Sequence, residues 1–399
     1  MKNKFFLTVL SIFCFASAGL SIHYPKSIAI HPTEDILVIG HNTGNIIIVE
    51  KSTLKFLTMI KVCKTIEKTS FNKDGSQLWL FGRNLEEKDC ALSLDSKTWT
   101  KKHEIGCYKA TFSSTANKLC YKIGYSSGEL KIADMSSAES VGSLKTAFTK
   151  DDSHVDFFEF STDGSQIIMA ESVFGDIPCE ILIYPSEGFV AKPTKSFISS
   201  TKISTGFGTG ISSNNNEHIL IGWSETLKLK TDTCETLSRG YDFCHSFCSS
   251  ADGSYFYIGG GGEATQYDFL TMKTVPIELE KIDGHAGNII AIGTIDSKNY
   301  YFVTDDYIVG IINSDGFVVK QTLLNMTVDV ILSNSYKAED VQKINDACKL
   351  NKLKVVIPEI YDKEKPVKIA AGVSMSDASK IIEKMRASGI YCGVSLIQP

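Results

Sequence analysis

From Ile28 to Leu57 short apolar runs alternate with polar turns in a fixed order. A first run ends at His31-Pro32-Thr33-Glu34-Asp35, and Ile36 to Ile39 follows it up to the turn Asn42-Thr43-Gly44. Asn45 to Val49 is a third run, and after Glu50-Lys51-Ser52-Thr53 comes a fourth, Leu54 to Ile60. Runs of about five residues, bounded by Gly, Pro, Asn, Asp or Ser, predict sheet strands rather than helices. The stretch therefore reads as one four-stranded antiparallel unit.

The unit recurs. Its first turn returns as Asn72-Lys73-Asp74-Gly75-Ser76, Ser114-Thr115-Ala116-Asn117, Thr162-Asp163-Gly164-Ser165, Asn214-Asn215-Asn216, Ala251-Asp252-Gly253-Ser254 and Asp296-Ser297-Lys298-Asn299. Asp-Gly and Asn-rich pairs suit such hairpins because they accept positive φ at little cost. A second mark closes the third strand: Val49-Glu50, Leu94-Asp95, Ala133-Asp134, Thr231-Asp232, Tyr267-Asp268 and Ile312-Asn313. A carboxylate or amide there can accept turn amides, which is structural chemistry rather than a catalytic pattern. Repeats near 40 residues predict a radial stack of sheets.

The last copy carries a resemblance. Gly284-His285, Asn288 to Ile292, Tyr300 to Val303, Thr304-Asp305-Asp306 and Tyr307 to Ile312 follow the order of the WD-repeat β-propellers, and the likeness extends over about Ser21 to Leu324. It implies an all-β, seven-bladed propeller with blades at 21–60, 61–105, 106–145, 146–198, 199–240, 241–281 and 282–324. Leu20 to Tyr24 could add an outer strand to the last blade. No copy keeps the Trp-Asp pair and only the last keeps Gly-His, so most of that family's hydrogen-bonded network is absent. The fourth blade is lengthened by Ser172 to Pro178, and extra loop on a rigid scaffold is where binding surfaces gather.

From Met326 the period changes. Thr327 to Ser333 predicts a strand, Ala338 to Asn351 a helix, Leu353 to Ile360 a strand and Val367 to Ala371 another. Ser374 then caps a helix ended by Gly389, and Tyr391 to Ile397 is the last strand. The order βαββαβ is the α+β ferredoxin-like split unit, placed at 325–399. Lys368-Ile369-Ala370-Ala371-Gly372, with Ser376-Asp377-Ala378, Met385 and Gly389-Ile390-Tyr391, resembles the SPOR domain, a module that binds peptidoglycan glycan strands. Asp329 to Leu332 lacks the polar-then-Gly pattern expected of that family's first strand. A generic ferredoxin-like interaction domain stands beside this reading. With Val367, Ile369 and Ala371 packed beneath the helices, Lys368 and Ala370 face outward. Lys368, Ser333 and Asn334 are then the candidate ligand-binding residues. Cys348 and Cys392, the tail's two cysteines, lie on elements that pack together in such a unit and are expected to form a disulfide.

Composition adds a compartment. Met1 to Ala18 has Lys2 and Lys4, the apolar Phe5 to Phe15 and the small-residue site Ala16-Ser17-Ala18, the form of a signal peptide. Residues 19–324 would then be the propeller of an exported chain, periplasmic or extracellular. Of 11 cysteines, Cys14 leaves with the leader, so an even set remains. A net charge of -5 offers no basic face to nucleic acid, and no apolar run after the leader is long enough to span a membrane.

Candidate chemistry is sparse. Cys244-His245 with Cys248 lacks the second ligand pair of a zinc site. The runs Gly259 to Gly262 and Gly206 to Gly210 lack the Lys-Ser/Thr of a phosphate loop. Eight histidines are scattered over the repeats with no nucleophile motif. No catalytic, metal or cofactor set is expected. The sequence therefore points to a non-enzymatic scaffold with protein partners on a propeller face. Alternatives are a cell-envelope protein binding peptidoglycan through the tail, or a propeller hydrolase or lyase assembled at the central funnel.

Overall fold

The computed structural model describes residues 24–397 apart from 126, 146–153, 173–179, 189–191, 200–209, 216, 222–224, 231, 240–245, 261–262, 283–286, 297, 333–335, 337, 356 and 359–366. The leader, most of Leu20 to Tyr24, the extended fourth-blade turn, Gly284-His285, Cys244-His245, Ser333 and Asn334 thus lie outside the described residues.

The described chain divides into two compact units, one within 25–282 and 286–322, the other comprising the tail from 323. In the larger unit the strands form seven four-stranded antiparallel sheets, each an up-and-down meander of consecutive strands. Their first strands are Pro25–Ile30, Thr65–Phe71, Lys109–Ser113, His154–Phe160, Gly210–Asn214, Ser246–Ser249 and Ile289–Thr294. Each first strand lies beside the next, and Ile289–Thr294 returns to lie beside Pro25–Ile30. The last sheet has four described strands, from Ile289 to Leu323.

The turns explain the repeat. Asp74, Asp163 and Asp252 each accept the backbone N–H and hydroxyl of the serine two residues on. The intervening Gly75, Gly164 and Gly253 have φ of 79°, 72° and 70°, and Asn117 and Asn215 take that conformation in two other copies. At the close of the third strand Asp95, Asp134 and Asp268 each accept two turn amides through Oδ1. The same turns put Leu54, Trp99, Ala138 and Met272 at positive φ, each donating its N–H to the carbonyl four residues back. The acidic mark is therefore a turn device.

Packing runs from sheet to sheet. Ala29, Val38 and Ile48 of the first sheet bury against Ile66, Leu80 and Leu92 of the second. Phe157, Ile168 and Ile181 of the fourth bury against Ile211, Leu220 and Leu227 of the fifth. Trp79 is wholly buried between the second and third sheets, and its indole N–H donates to the Met135 carbonyl at 2.7 Å. Each buried Val, Leu, Ile or Phe among them contributes about 1.5–3 kcal/mol. The rings of Tyr257 and Tyr300, 4.1 Å apart, join the sixth sheet to the seventh.

The tail unit is a three-stranded antiparallel sheet with Thr327–Leu332 between Lys368–Ser374 and Cys392–Leu396. Helices Val341–Leu350 and Met375–Ala387 accompany it, the second capped by Ser374 Oγ accepting from the Asp377 N–H. One expectation fails here: the described residues of 353–358 form no strand. Lys352 sits at φ 59° and Leu353 donates its N–H back to the Cys348 carbonyl, which turns the chain over the helix end.

Candidate functional site

In a meander sheet the hairpins between first and second strands gather at one end, with those between third and fourth. Links from sheet to sheet gather at the other. At the first end the fourth, fifth and sixth sheets line an open cleft of about 180 Å³. The fourth contributes Thr162 and Asp163, the fifth Ser213, Asn214 and His218, and the sixth Asp252.

These groups are fixed by one another. The Ser213 N–H donates to Thr162 Oγ1 at 2.9 Å, and Thr162 Oγ1 donates to Ser249 Oγ at 3.2 Å. Ser212 Oγ lies 2.9 Å from Ser249 Oγ, so hydroxyls of three sheets meet. Gly253 lies so close to the fifth sheet that a Cβ there would come within 2.0 Å of the Ser213 carbonyl. Asp163 Oδ1 accepts from Ser161 Oγ, the Ser165 N–H and Ser165 Oγ, and these bonds hold its carboxyl below the usual range against the opposing effect of burial.

His218 is the buried member, 2% exposed. Its Nδ1 lies 2.8 Å from Ser213 Oγ, whereas its Nε2 has no hydrogen-bond partner. Burial, reinforced by the Lys195 charge and opposed by Asp163 and Glu217, brings its pKa down to about 4, so the ring is neutral near pH 7. A serine, a histidine and an aspartate from two sheets thus meet where the sequence showed no motif. The readable signal was the Ser213 to His218 spacing, which places the two opposite each other across a hairpin.

The other end holds a second histidine. His41 is fully buried; its Nδ1 accepts the Thr43 N–H at 3.1 Å, which leaves Nε2–H to donate to Tyr307 Oη at 2.6 Å. Burial pushes the Tyr307 phenol far above its ordinary value. Asp305 accepts from the Asn288 N–H and side-chain amide at 2.6 and 3.0 Å, and burial raises its pKa. The Asp turn on which the WD-repeat resemblance rests is therefore a structural clasp. At this same end Leu85, Tyr108, Ile123 and Tyr125 are exposed, with the two tyrosine rings edge to face. Along the first strands Glu159 accepts from Lys68 at 2.6 Å and from Thr111 Oγ1, tying the second, third and fourth sheets.

In the tail Lys368 is exposed, its side chain 61% open, and its Nζ pairs with the buried Asp329 carboxylate at 2.5 Å. Asp329 Oδ1 also accepts the Gly372 N–H at 3.0 Å. Nothing in the sequence pattern links Asp329 to Lys368. Val367 and Ile369 are buried, but Ala371 is exposed rather than packed under the helices. Register shifts between Val328 and Ile331 break the alternation there. Cys348 and Cys392 are buried free thiols, and burial with the neighbouring Cys348 pushes Cys392 up to about 12. Among the described residues no helix is long and apolar enough to cross a membrane.

No family model matches the chain, and no curated protein sequence does. Solved structures do match. Hydrazine synthase of Kuenenia stuttgartiensis aligns with a TM-score of 0.55 at 14% identity, over 73% of this chain and 96% of that one. The likeness is one of fold. It supports a β-propeller-like arrangement of the repeated sheets and says nothing of activity.

Proposed function

We propose that this chain is an exported, non-enzymatic binding protein: a seven-bladed propeller used as a protein-interaction platform, joined to a ferredoxin-like, SPOR-like module that supplies a second recognition surface. The observation that carries the reading is the polar cavity, where three sheets array hydroxyls, amides, two carboxylates and the His218 imidazole at one end of the repeats. Seven sheets whose first strands succeed one another and return to the first support the bladed ring. Export rests on the Met1 to Ala18 leader, and the secreted chain should begin at Gly19.

Hydrolysis is the less favoured use of the same residues. A base that takes the Ser213 proton near neutral pH needs a pKa close to that pH, and burial holds His218 far below it. A photo-crosslinking residue at Asn215, on the rim, should yield a discrete adduct with exported proteins. Adducts no different from those formed by the same residue at Leu85, at the opposite end, would overturn the reading.

A wall-binding reading of the tail has its own support. The order Lys368–Ser374, Thr327–Leu332, Cys392–Leu396, with every neighbour antiparallel and a helix after each of the first two strands in sequence, is that of a split βαβ unit. The Asp329 ion pair gives Lys368 a structural partner and weakens its claim to a glycan. Co-sedimentation of the full chain with purified wall sacculi, abolished by Lys368→Ala, is what this reading expects.

A further inference from the structure

Resting on the export reading, we infer that Cys63 and Cys90 are joined by a disulfide made while the second sheet folds, one that ties the link entering that sheet to its third strand. Both thiols are buried, 1% and 2% exposed, and both sit in the apolar cluster shared by the first and second sheets, with Ile66 and Leu92.

Two buried thiols feel the charge of Cys90, Cys63 and Cys107. The register chooses between them. Cys90, on Asp89–Asp95, stands opposite Gly106 on Lys101–Gly106, so the next residue, Cys107, falls on the other face of the sheet. There it packs with Trp79 and Ala91 toward the third sheet.

Gly82 clears the way to Cys63. On the middle strand Gln77–Arg83 it stands opposite Ile66 on one side and Cys90 on the other, so a side chain there would rise between the two thiols. The Thr65 carbonyl oxygen lies 2.1 Å from where that Cβ would be, and Cys63 Sγ lies 3.1 Å from the same oxygen. The Cys63 thiol is thus on the Cys90 face, beside bare backbone. A disulfide asks for Cβ atoms about 3.8 Å apart. Cys63 belongs to no strand, and its N–H reaches the Gly44 carbonyl at 3.2 Å, so it can be drawn toward Cys90 without opening a ladder bond.

The bond forms by exchange with a small-molecule disulfide. The thiolate of one cysteine attacks it, releasing one thiol and leaving a mixed disulfide, and the thiolate of the other cysteine then displaces the second thiol. Cys63 and Cys90 together lose two electrons and two protons, and the oxidant leaves as two thiols. In the folded chain burial pushes Cys63 up to about 12 and Cys90 up to about 11, so neither supplies much thiolate near neutral pH. Exchange therefore belongs to folding, before the sheets close over the pair.

The full chain, refolded from denaturant in oxidised and reduced glutathione, then alkylated and digested without reduction, should yield a peptide linking Cys63 to Cys90. Cys107→Ala should leave that link in place, and Cys90→Ala should leave Cys63 free. Oxidised glutathione added to chain already folded with its thiols reduced should make the link about tenfold or more slowly than refolding does. A link from Cys90 to Cys107, both thiols free, Cys63 paired elsewhere in the wild type, or equal rates overturns the inference. The oxidant is supplied in vitro, so these outcomes are separate from failure of the export reading, which shows as a secreted chain that does not begin at Gly19.

Discussion

Acidification should destabilise the larger unit through one ring. His218 titrates at about 4 when folded against 6.5 when free, so below 6.5 the unfolded chain binds a proton that the folded chain refuses. Its contribution to stability is whole above pH 6.5, falls as the pH drops toward 4, and is level below that. The loss across the window is about 3 kcal/mol, a large part of the margin by which domains are stable. Denaturant unfolding of the wild type and of His218→Gln from pH 7.5 to 4 isolates it, since carboxylates elsewhere titrate alike in both. Asp163 and Glu217, which feel the ring's charge, are the exceptions. The gap between the two curves should change by about 3 kcal/mol, the wild type losing more. Parallel curves would refute the reasoning, as would an imidazole that titrates near its free value in the NMR spectrum of the folded protein.

Other perturbations are equally specific. Cys348 and Cys392 should oxidise to a disulfide that adds roughly 3–4 kcal/mol through the loop it closes; non-reducing peptide mapping that recovers both thiols free after oxidative refolding contradicts this. Gly44→Ala should cost more than about 2 kcal/mol, because φ is 77° and the new methyl would lie 2.0 Å from the Cys63 carbonyl; an unchanged melting temperature contradicts it. Lys368→Met should lower stability by about 1–2 kcal/mol, a figure discounted for the exposure of the lysine, and Asp329→Asn in the same background should recover part of it; a double-mutant cycle in denaturant decides.

The sheets were legible because their turns are chemical. Asp163-Gly164-Ser165 and Asp252-Gly253-Ser254 announce hairpins in any context, as their own side chains make the turn bonds. The tail's capped helix was equally readable from Ser374 and Gly389. The cavity was not, since Thr162, Ser213 and Ser249 belong to three sheets and meet through packing alone. Asp329 escaped for a related reason. An aspartate inside an apolar strand looks like a lapse in alternation until Lys368 comes alongside from a strand about forty residues on.

The bond between His41 and Tyr307 spans 266 positions and joins the first sheet to the last. It therefore cannot form until nearly the whole repeat region has left the ribosome. Until then the first sheet has one flank without its final neighbour, and any closure must wait for Ile289–Thr294 to find Pro25–Ile30. A chain arrested before Tyr307 would leave the apolar face of its first sheet, and that of its last complete one, without a neighbour and available to another unfinished copy. In a closed ring the His41–Tyr307 bond would thus be among the late links to form, and the interval before it is when a chaperone would have most to protect.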